Sequence, residues 1–284
     1  MNWLKLYDID STDNRNQELI DHVVRRYKKL FWWVYRPTIE GIERIPDGKA
    51  LYVANHNSGL IMPEAFLFCC AAYEWHGLGA LPYGLAHEIF LRLPVLHQIF
   101  VQLGAIRASH ENARKLFAEG HKVLVFPGGD KDAMRSYRDR HKVVFAKRRG
   151  YIRLALREEV PIVPVVSAGA HQTLMIFDDG QWLAENLKLH RLLRTDVWPI
   201  SFSIPWGLWI GVPPPHIPLR TRVYIEALEP IEFERYGDEA AGDAEYVEQC
   251  HRRVHSKMQK TLKRLAKERA IKNWGVESHT GGPI

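Results

Sequence analysis

Four short apolar runs, at residues 50–54, 103–107, 122–126 and 160–166, are separated by stretches whose apolar positions recur at helical spacing. No other feature restricts the fold as much. Strands that alternate with helices pack most simply as one sheet with helices on its faces, and the crossovers make that sheet largely parallel. The β-branched run at 160–166 suits a strand buried on both sides. Helices are predicted over 63–73, opened by Pro63 at the first helical position, over 86–102, over 110–119, stopped by Gly120, and over 148–158. A late strand is expected at 222–226. The fold class read from this pattern is α/β, a layered domain with a mostly parallel central sheet flanked by helices.

Two charged helices flank that domain. Residues 17–36 form an amphipathic pattern with Leu19, Ile20, Val23, Val24, Tyr27 and Phe31 on one stripe, ended by Pro37. At the other end, a long helix is predicted over 244–272. Nine of the residues from 252 to 272 are Lys or Arg, against one acid, Glu268. Arg25, Arg26, Lys28 and Lys29 precede an aromatic cluster of Phe31, Trp32, Trp33 and Tyr35. Cations beside Trp and Tyr suit an anionic lipid surface. The net charge of +6 asks for an anionic partner, and no zinc-finger spacing, RNP-like motif or bZIP heptad points to nucleic acid. Hydrophobic residues at 46% and charged residues at 25% exclude disorder. Three cysteines, two of them the neighbours Cys69 and Cys70, exclude a disulfide framework and fit a reducing compartment. Residues 1–10 lack the pattern of a secretory leader. Residues 197–218 carry no Lys, Arg, Asp or Glu but hold six prolines. Each proline inside a helix costs roughly 3 kcal/mol, so an irregular apolar element is expected there instead of a membrane span.

Candidate chemistry gathers where the parallel strands end. His56 leaves the first strand inside the polar turn Asn55-His56-Asn57-Ser58-Gly59 and can serve as a general base, its ordinary pKa lying near working pH. Glu64, eight residues on, can fold back to orient the ring, or simply complement the helix N-terminus. The turn Pro127-Gly128-Gly129 lets backbone N–H groups approach a ligand, and the cations after it suit phosphate. Ser167-Ala-Gly169 is only half a nucleophile elbow, since Val165 stands where that motif has Gly. Phosphate-loop, dinucleotide and zinc motifs are absent, and no metal site is expected.

These pieces, in this order, resemble the lysophospholipid acyltransferase superfamily, which includes bacterial 1-acylglycerol-3-phosphate acyltransferases. Thr38 to Gly48 is similar to the family's lead-in and Val53-Ala-Asn-His-Asn-Ser-Gly59 to its histidine motif. Leu103-Gly-Ala-Ile-Arg107 resembles the second block, whose Arg contacts acceptor phosphate. Val123 to Gly129 resembles the third block and Val160 to Val165 the fourth. Two positions depart. The usual Asp five residues after the His is Ile61, for which Glu64 is the nearest replacement. The third block reads Gly128-Gly129-Asp130-Lys131, and this turn followed by Asp132 is similar to the diacylglycerol and monoacylglycerol acyltransferase branch.

The resemblance implies an N-terminal membrane-surface helix over 1–36, an acyltransferase domain over 37–236 and a basic C-terminal helix and tail over 237–284. It implies acyl transfer from acyl-CoA or an acyl carrier protein, used as co-substrate with no further cofactor, to a lysophospholipid hydroxyl. His56 is the base and Glu64 its orienter, with Arg107, Pro127, Gly128, Gly129, Asp132 and Arg135 binding substrate. A peripheral, monotopic location on the cytoplasmic face of a membrane follows. Transfer to diacylglycerol is the alternative within the class, and a lipid esterase or thioesterase the alternative outside it. A non-catalytic membrane module is the third, favoured by Ile61.

Overall fold

The computed structural model describes residues 6–273 except Ser58, Leu60 and Arg194. Ten strands are defined: β1 (Thr38–Glu40), β2 (Leu51–Ala54), β3 (Tyr83–Ala86), β4 (Ala105–Arg107), β5 (Val123–Val125), β6 (Ile162–Ala168), β7 (Met175–Asp178), β8 (Ile200–Ser203), β9 (Gly207–Ile210) and β10 (Tyr224–Ala227). Seven of them form one sheet in the order β1-β10-β6-β2-β5-β3-β4. Every neighbouring pair in it is parallel except β10 with β6. The α/β reading therefore stands.

Period-2 alternation divides the sheet's side chains between two cores. Leu51, Val53, Val123, Ile162 and Val166 pack on one face with the helices His110–Ala118, Gly150–Arg157 and Ala244–Asn273. Tyr52, Ala54, Leu124, Val163 and Val165 face the other way, against Leu67 and Phe68 of helix Pro63–Ala80 and Tyr35 of helix Gln17–Tyr35. Both flanking helices are thus built into the layers. The C-terminal one contributes Val247, Val254, Met258, Leu262 and Leu265, and turns most of its cations outward, Arg269 excepted.

Several boundaries differ from the sequence reading. The single helix expected over 86–102 is strand β3 followed by two helices, Glu88–Arg92 and Pro94–Phe100. Pro94 opens the second and leaves Leu93 extended between them, because proline lacks the N–H that would continue the first. Helix Pro63–Ala80 runs beyond residue 73, with non-helical backbone at His76 and Gly77. Residues 197–218 are not irregular throughout. They contain β8 and β9, which join β7 in a small antiparallel sheet.

That small sheet is inverted. Met175, Phe202 and Leu208 lie across from one another on one face, with Ile200 opposite Ile210, and Phe202, Leu208 and Ile210 are exposed. Ser201 and Ser203 point the other way and are buried. Most of its apolar side chains face outward, while Ser201 and Ser203 face inward beside the buried Ile176, largely the reverse of an ordinary half-buried sheet.

Candidate active site

Strands β6, β2 and β5 are adjacent and parallel, so the segments leaving them converge. His56 follows β2, and its ring lies against Phe126 at the exit of β5, with centroids 4.5 Å apart. Glu64 is the second residue of helix Pro63–Ala80, and its side chain folds back over the helix start. Its Oε1 accepts the His56 Nδ1–H at 2.9 Å and the Asn57 backbone N–H at 3.1 Å. An oxygen that already accepts a backbone donor takes a proton-bearing ring nitrogen as its second partner, so Nδ1 carries the proton and Nε2 keeps its lone pair. Both side chains are largely buried, at 7% and 3% residue exposure. A carboxylate-held imidazole of this kind can accept a proton at Nε2 and be stabilised as it becomes charged.

The loop that presents His56 is tied down on every side. Asp132, completely buried, accepts the His56 backbone N–H at 2.5 Å and the Val144 N–H at 3.2 Å. Arg135 pairs with Asp132 and donates to the His56 carbonyl at 2.7 Å and to Asn57 Oδ1 at 2.9 Å. Burial pushes the Asp132 carboxyl up and the Arg135 guanidinium down, and their mutual attraction opposes both shifts. On the far side, Asn55 and Asn57 each donate to the Ser167 carbonyl, at 3.0 and 2.9 Å, and Asn55 Oδ1 accepts the Ser167 N–H at 2.9 Å. The Ser167 hydroxyl bonds the Asn57 amide.

Asp132 and Arg135, read from the sequence as substrate contacts, therefore touch the His56 loop and are sealed from solvent. Gly128 and Gly129 are also constrained from within the protein. A Cβ on Gly128 would sit 2.1 Å from the Val144 carbonyl oxygen and 2.2 Å from Asp132 Cβ; one on Gly129 would sit 2.1 Å from Arg148 Nη1. The Gly129 N–H bonds the Phe126 carbonyl at 3.0 Å, and the Pro127 and Gly128 carbonyls face Arg148. Backbone packing thus demands glycine at 128, and the left-handed backbone, φ +55°, favours it at 129. Arg107 ends β4, three strands from β2 and so roughly 14 Å away at the usual strand spacing. It forms a bidentate pair with Asp10 at 2.7 and 2.6 Å, which holds the Asp10 carboxyl below its ordinary value. Ser58, also in the predicted turn, lies outside the described residues. Asn55, Asn57 and Ser167 were not singled out as site residues by sequence; two Asn flanking a strand-exit His were the available signal.

Nucleophilic alternatives find little support here. Burial pushes both the Cys69 and Cys70 thiols up to about 12, which suppresses the thiolate.

Comparison with known proteins places the chain in a family. The sequence profile of the diacylglycerol acyltransferase family covers residues 4–272. The chain belongs to the diacylglycerol acyltransferase family. An uncharacterised protein of Mycobacterium tuberculosis is 29% identical over 246 residues, 86% of this chain. The match spans 65% of that relative's length. Diacylglycerol O-acyltransferase 2 of Homo sapiens is 27% identical over 109 residues, 37% of this chain and 28% of its own. Among solved structures, the 1-acyl-sn-glycerophosphate acyltransferase of Thermotoga maritima matches with a TM-score of 0.53 over 87% of this chain and 79% of that one. At 20% identity this likeness speaks for the fold.

Proposed function

We propose that this member of the family is a glycerolipid O-acyltransferase that moves an acyl group from a thioester, carried by coenzyme A or an acyl carrier protein, to a glycerolipid hydroxyl. The observation that carries the reading is the buried His56–Glu64 pair at the exit of β2. In the reaction, His56 Nε2 removes the acceptor's hydroxyl proton as the oxygen bonds to the thioester carbonyl carbon. Glu64 stabilises the imidazolium that results. Collapse of the tetrahedral species breaks the carbon–sulfur bond, and the departing thiolate takes the proton back from Nε2. The ester and a free thiol are the products, with no covalent enzyme intermediate.

Of the two acceptor classes, the geometry favours a neutral one such as diacylglycerol over a 1-acylglycerol 3-phosphate. The cations assigned to an acceptor phosphate are engaged elsewhere, Arg107 with Asp10 and Arg135 inside the scaffold of the His56 loop. The phosphorylated acceptor remains the second reading, supported by the part-exposed Arg107 side chain.

Attachment to a lipid surface belongs to the same proposal. Among the described residues no helix is long and apolar enough to cross a membrane. The inverted sheet instead offers an apolar face in the middle of a basic protein, together with exposed Leu30 and Trp33 of the N-terminal helix. Arg220 lies 4.7 Å over the Trp33 ring, a cation placed at headgroup level if Trp33 enters the interface.

The test is transfer from labelled acyl-CoA to diacylglycerol, lysophosphatidate, lysophosphatidylcholine and glycerol 3-phosphate, run with His56→Ala. General-base catalysis is worth roughly 10²–10⁴-fold, and the variant should lose that much turnover while still binding donor. A variant that keeps most of its rate excludes His56 as the base. Free fatty acid formed without any acceptor indicates hydrolysis.

A further inference from the structure

The end of β6 borders a second, partly open cleft. It is separate from the small apolar space behind His56, which is lined by Glu64, Phe68 and Leu124. Arg140, His141, His171, Gln172 and Arg269 line the second cavity, and no residue of its lining is acidic. Two guanidinium groups and two imidazoles therefore share one space without a counter-charge.

His171 is the informative member. It is buried, at 3% residue exposure, and its Nε2 has no hydrogen-bond partner among the described residues. Buried polar atoms are almost always hydrogen-bonded, so its place in the fold calls for a ligand. Burial, then the positive groups Arg135, His141, His56 and Arg140, hold its pKa well below the ordinary value. His141 is lowered by burial and by Arg140, Arg269 and Arg135. The leading charged influences on these two imidazoles are cationic groups and other imidazoles.

The wall is also built in advance of any ligand. Arg269 donates to the Arg222 carbonyl at 2.7 Å and to Thr221 at 2.9 Å, and bonds the Gln172 side chain. Arg140 donates to the Tyr137 carbonyl at 2.9 Å and stacks over that ring at 4.2 Å. Position completes the case. Ala168 and Gly169, in the cavity wall, directly follow Ser167, which is bonded to both asparagines flanking His56.

We propose that this cavity binds a phosphate group of a substrate whose reacting end lies at His56, with Arg140, His171 and Arg269 as its principal donors. A phosphate oxygen would satisfy His171 Nε2–H and neutralise the two guanidinium groups. The phosphate belongs either to the nucleotide portion of the thioester carrier or to a phosphorylated acceptor. Only the assignment to a substrate rests on the acyl-transfer reading; the binding itself does not.

Titration calorimetry of the full chain with 3′,5′-ADP, glycerol 3-phosphate and inorganic phosphate tests it. At least one should bind, with proton uptake visible as a dependence of the heat on buffer ionisation. Arg140→Ala and His171→Phe should each weaken binding roughly tenfold or more, the size of a lost charge-assisted hydrogen bond, and His171→Phe should abolish the proton uptake. His171→Phe removes an unpaired buried nitrogen, and Arg140 is part-exposed, so at least one variant stays folded. Preference for 3′,5′-ADP assigns the site to the donor; preference for glycerol 3-phosphate assigns it to the acceptor. Wild-type protein that binds none of the three, or binding unchanged in both variants, overturns the proposal. Protein that binds phosphate yet transfers no acyl group refutes the acyltransferase reading alone, and protein that transfers acyl groups but ignores all three anions refutes the cavity alone.

Discussion

Replacing Glu64 by Gln takes one charge out of the site and little else. Glu64 Oε1 accepts from His56 Nδ1 at 2.9 Å and from the Asn57 N–H at 3.1 Å, and a Gln oxygen can accept both. The ring and loop should therefore keep their places. What disappears is the negative charge facing an imidazole that turns positive as it takes the hydroxyl proton. A hydrogen bond to a charged group contributes about 1.5–3 kcal/mol, against about 1 for a neutral pair. The difference, about 1–2 kcal/mol, acts in the transition state, and at about 1.4 kcal/mol per decade it lowers kcat roughly 5- to 30-fold. A Gln that turns its NH₂ toward the ring forces the other tautomer, and the loss then grows to the order of 10⁴-fold. The assay is the initial rate of label transfer from acyl-CoA in mixed micelles, with KM for the donor measured alongside and circular dichroism as the folding control. A folded Glu64→Gln enzyme with wild-type kcat refutes the electrostatic role and reduces Glu64 to a loop acceptor at a helix start.

Three further outcomes are expected. Arg135→Met leaves the buried Asp132 carboxylate without its partner and should lower stability by about 3–5 kcal/mol in urea unfolding, whereas an unchanged midpoint would show the pair to be dispensable. Phe202→Glu or Leu208→Glu, both at exposed positions, should reduce co-sedimentation with anionic vesicles while leaving the thermal midpoint unaltered; undiminished sedimentation of both would remove the inverted sheet from the lipid contact. Burial, then Arg149, lowers the His251 pKa from 6.5 to about 4. The unfolded chain thus takes up a proton that the folded chain refuses, so stability is full above pH 6.5 and falls as pH drops toward 4, by at most about 1.4 kcal/mol per pH unit from this group. His251→Gln should flatten that slope in urea titrations, and an equally steep slope would place the effect in other residues.

Much of the central sheet was legible because β2, β5 and β6 are buried on both faces and read as unbroken apolar runs. The same segments end in polar or glycine-rich turns, which is why His56 and Glu64 could be named from the sequence. The burial of Asp132 and Arg135 was not legible for a physical reason. An acid and a base three residues apart usually form a solvated surface pair, and only the packing of Val144 and the His56 loop around them makes them a buried support. The helix expected over 86–102 has a continuous apolar pattern whose interruption depends on one residue, Pro94. In residues 200–204 the alternation Ile200, Phe202, Ile204 against Ser201, Ser203 was present in the sequence. It was hidden by the surrounding prolines and by the expectation that apolar residues point inward. Arg107 shows the limit of resemblance, since a motif position carries no information about a neighbour such as Asp10, 97 residues away in sequence. His171 gave no motif at all, and its interest comes entirely from burial and the cations around it.

The contacts that hold the His56 loop span long stretches of chain: 76 residues to Asp132, 78 from Asn57 to Arg135 and 110 to 112 to Ser167. During synthesis His56 and Glu64 are therefore made long before the distant groups that fix their loop, and a nascent chain ending before Ser167 cannot hold the dyad in place. Closing such loops carries an entropic cost that local helices do not bear, so the loop should set only after β2, β5 and β6 have paired. Under the proposed acyl transfer, activity becomes a reporter of complete assembly: the last property gained on refolding, and the first lost when any one of three distant segments loosens.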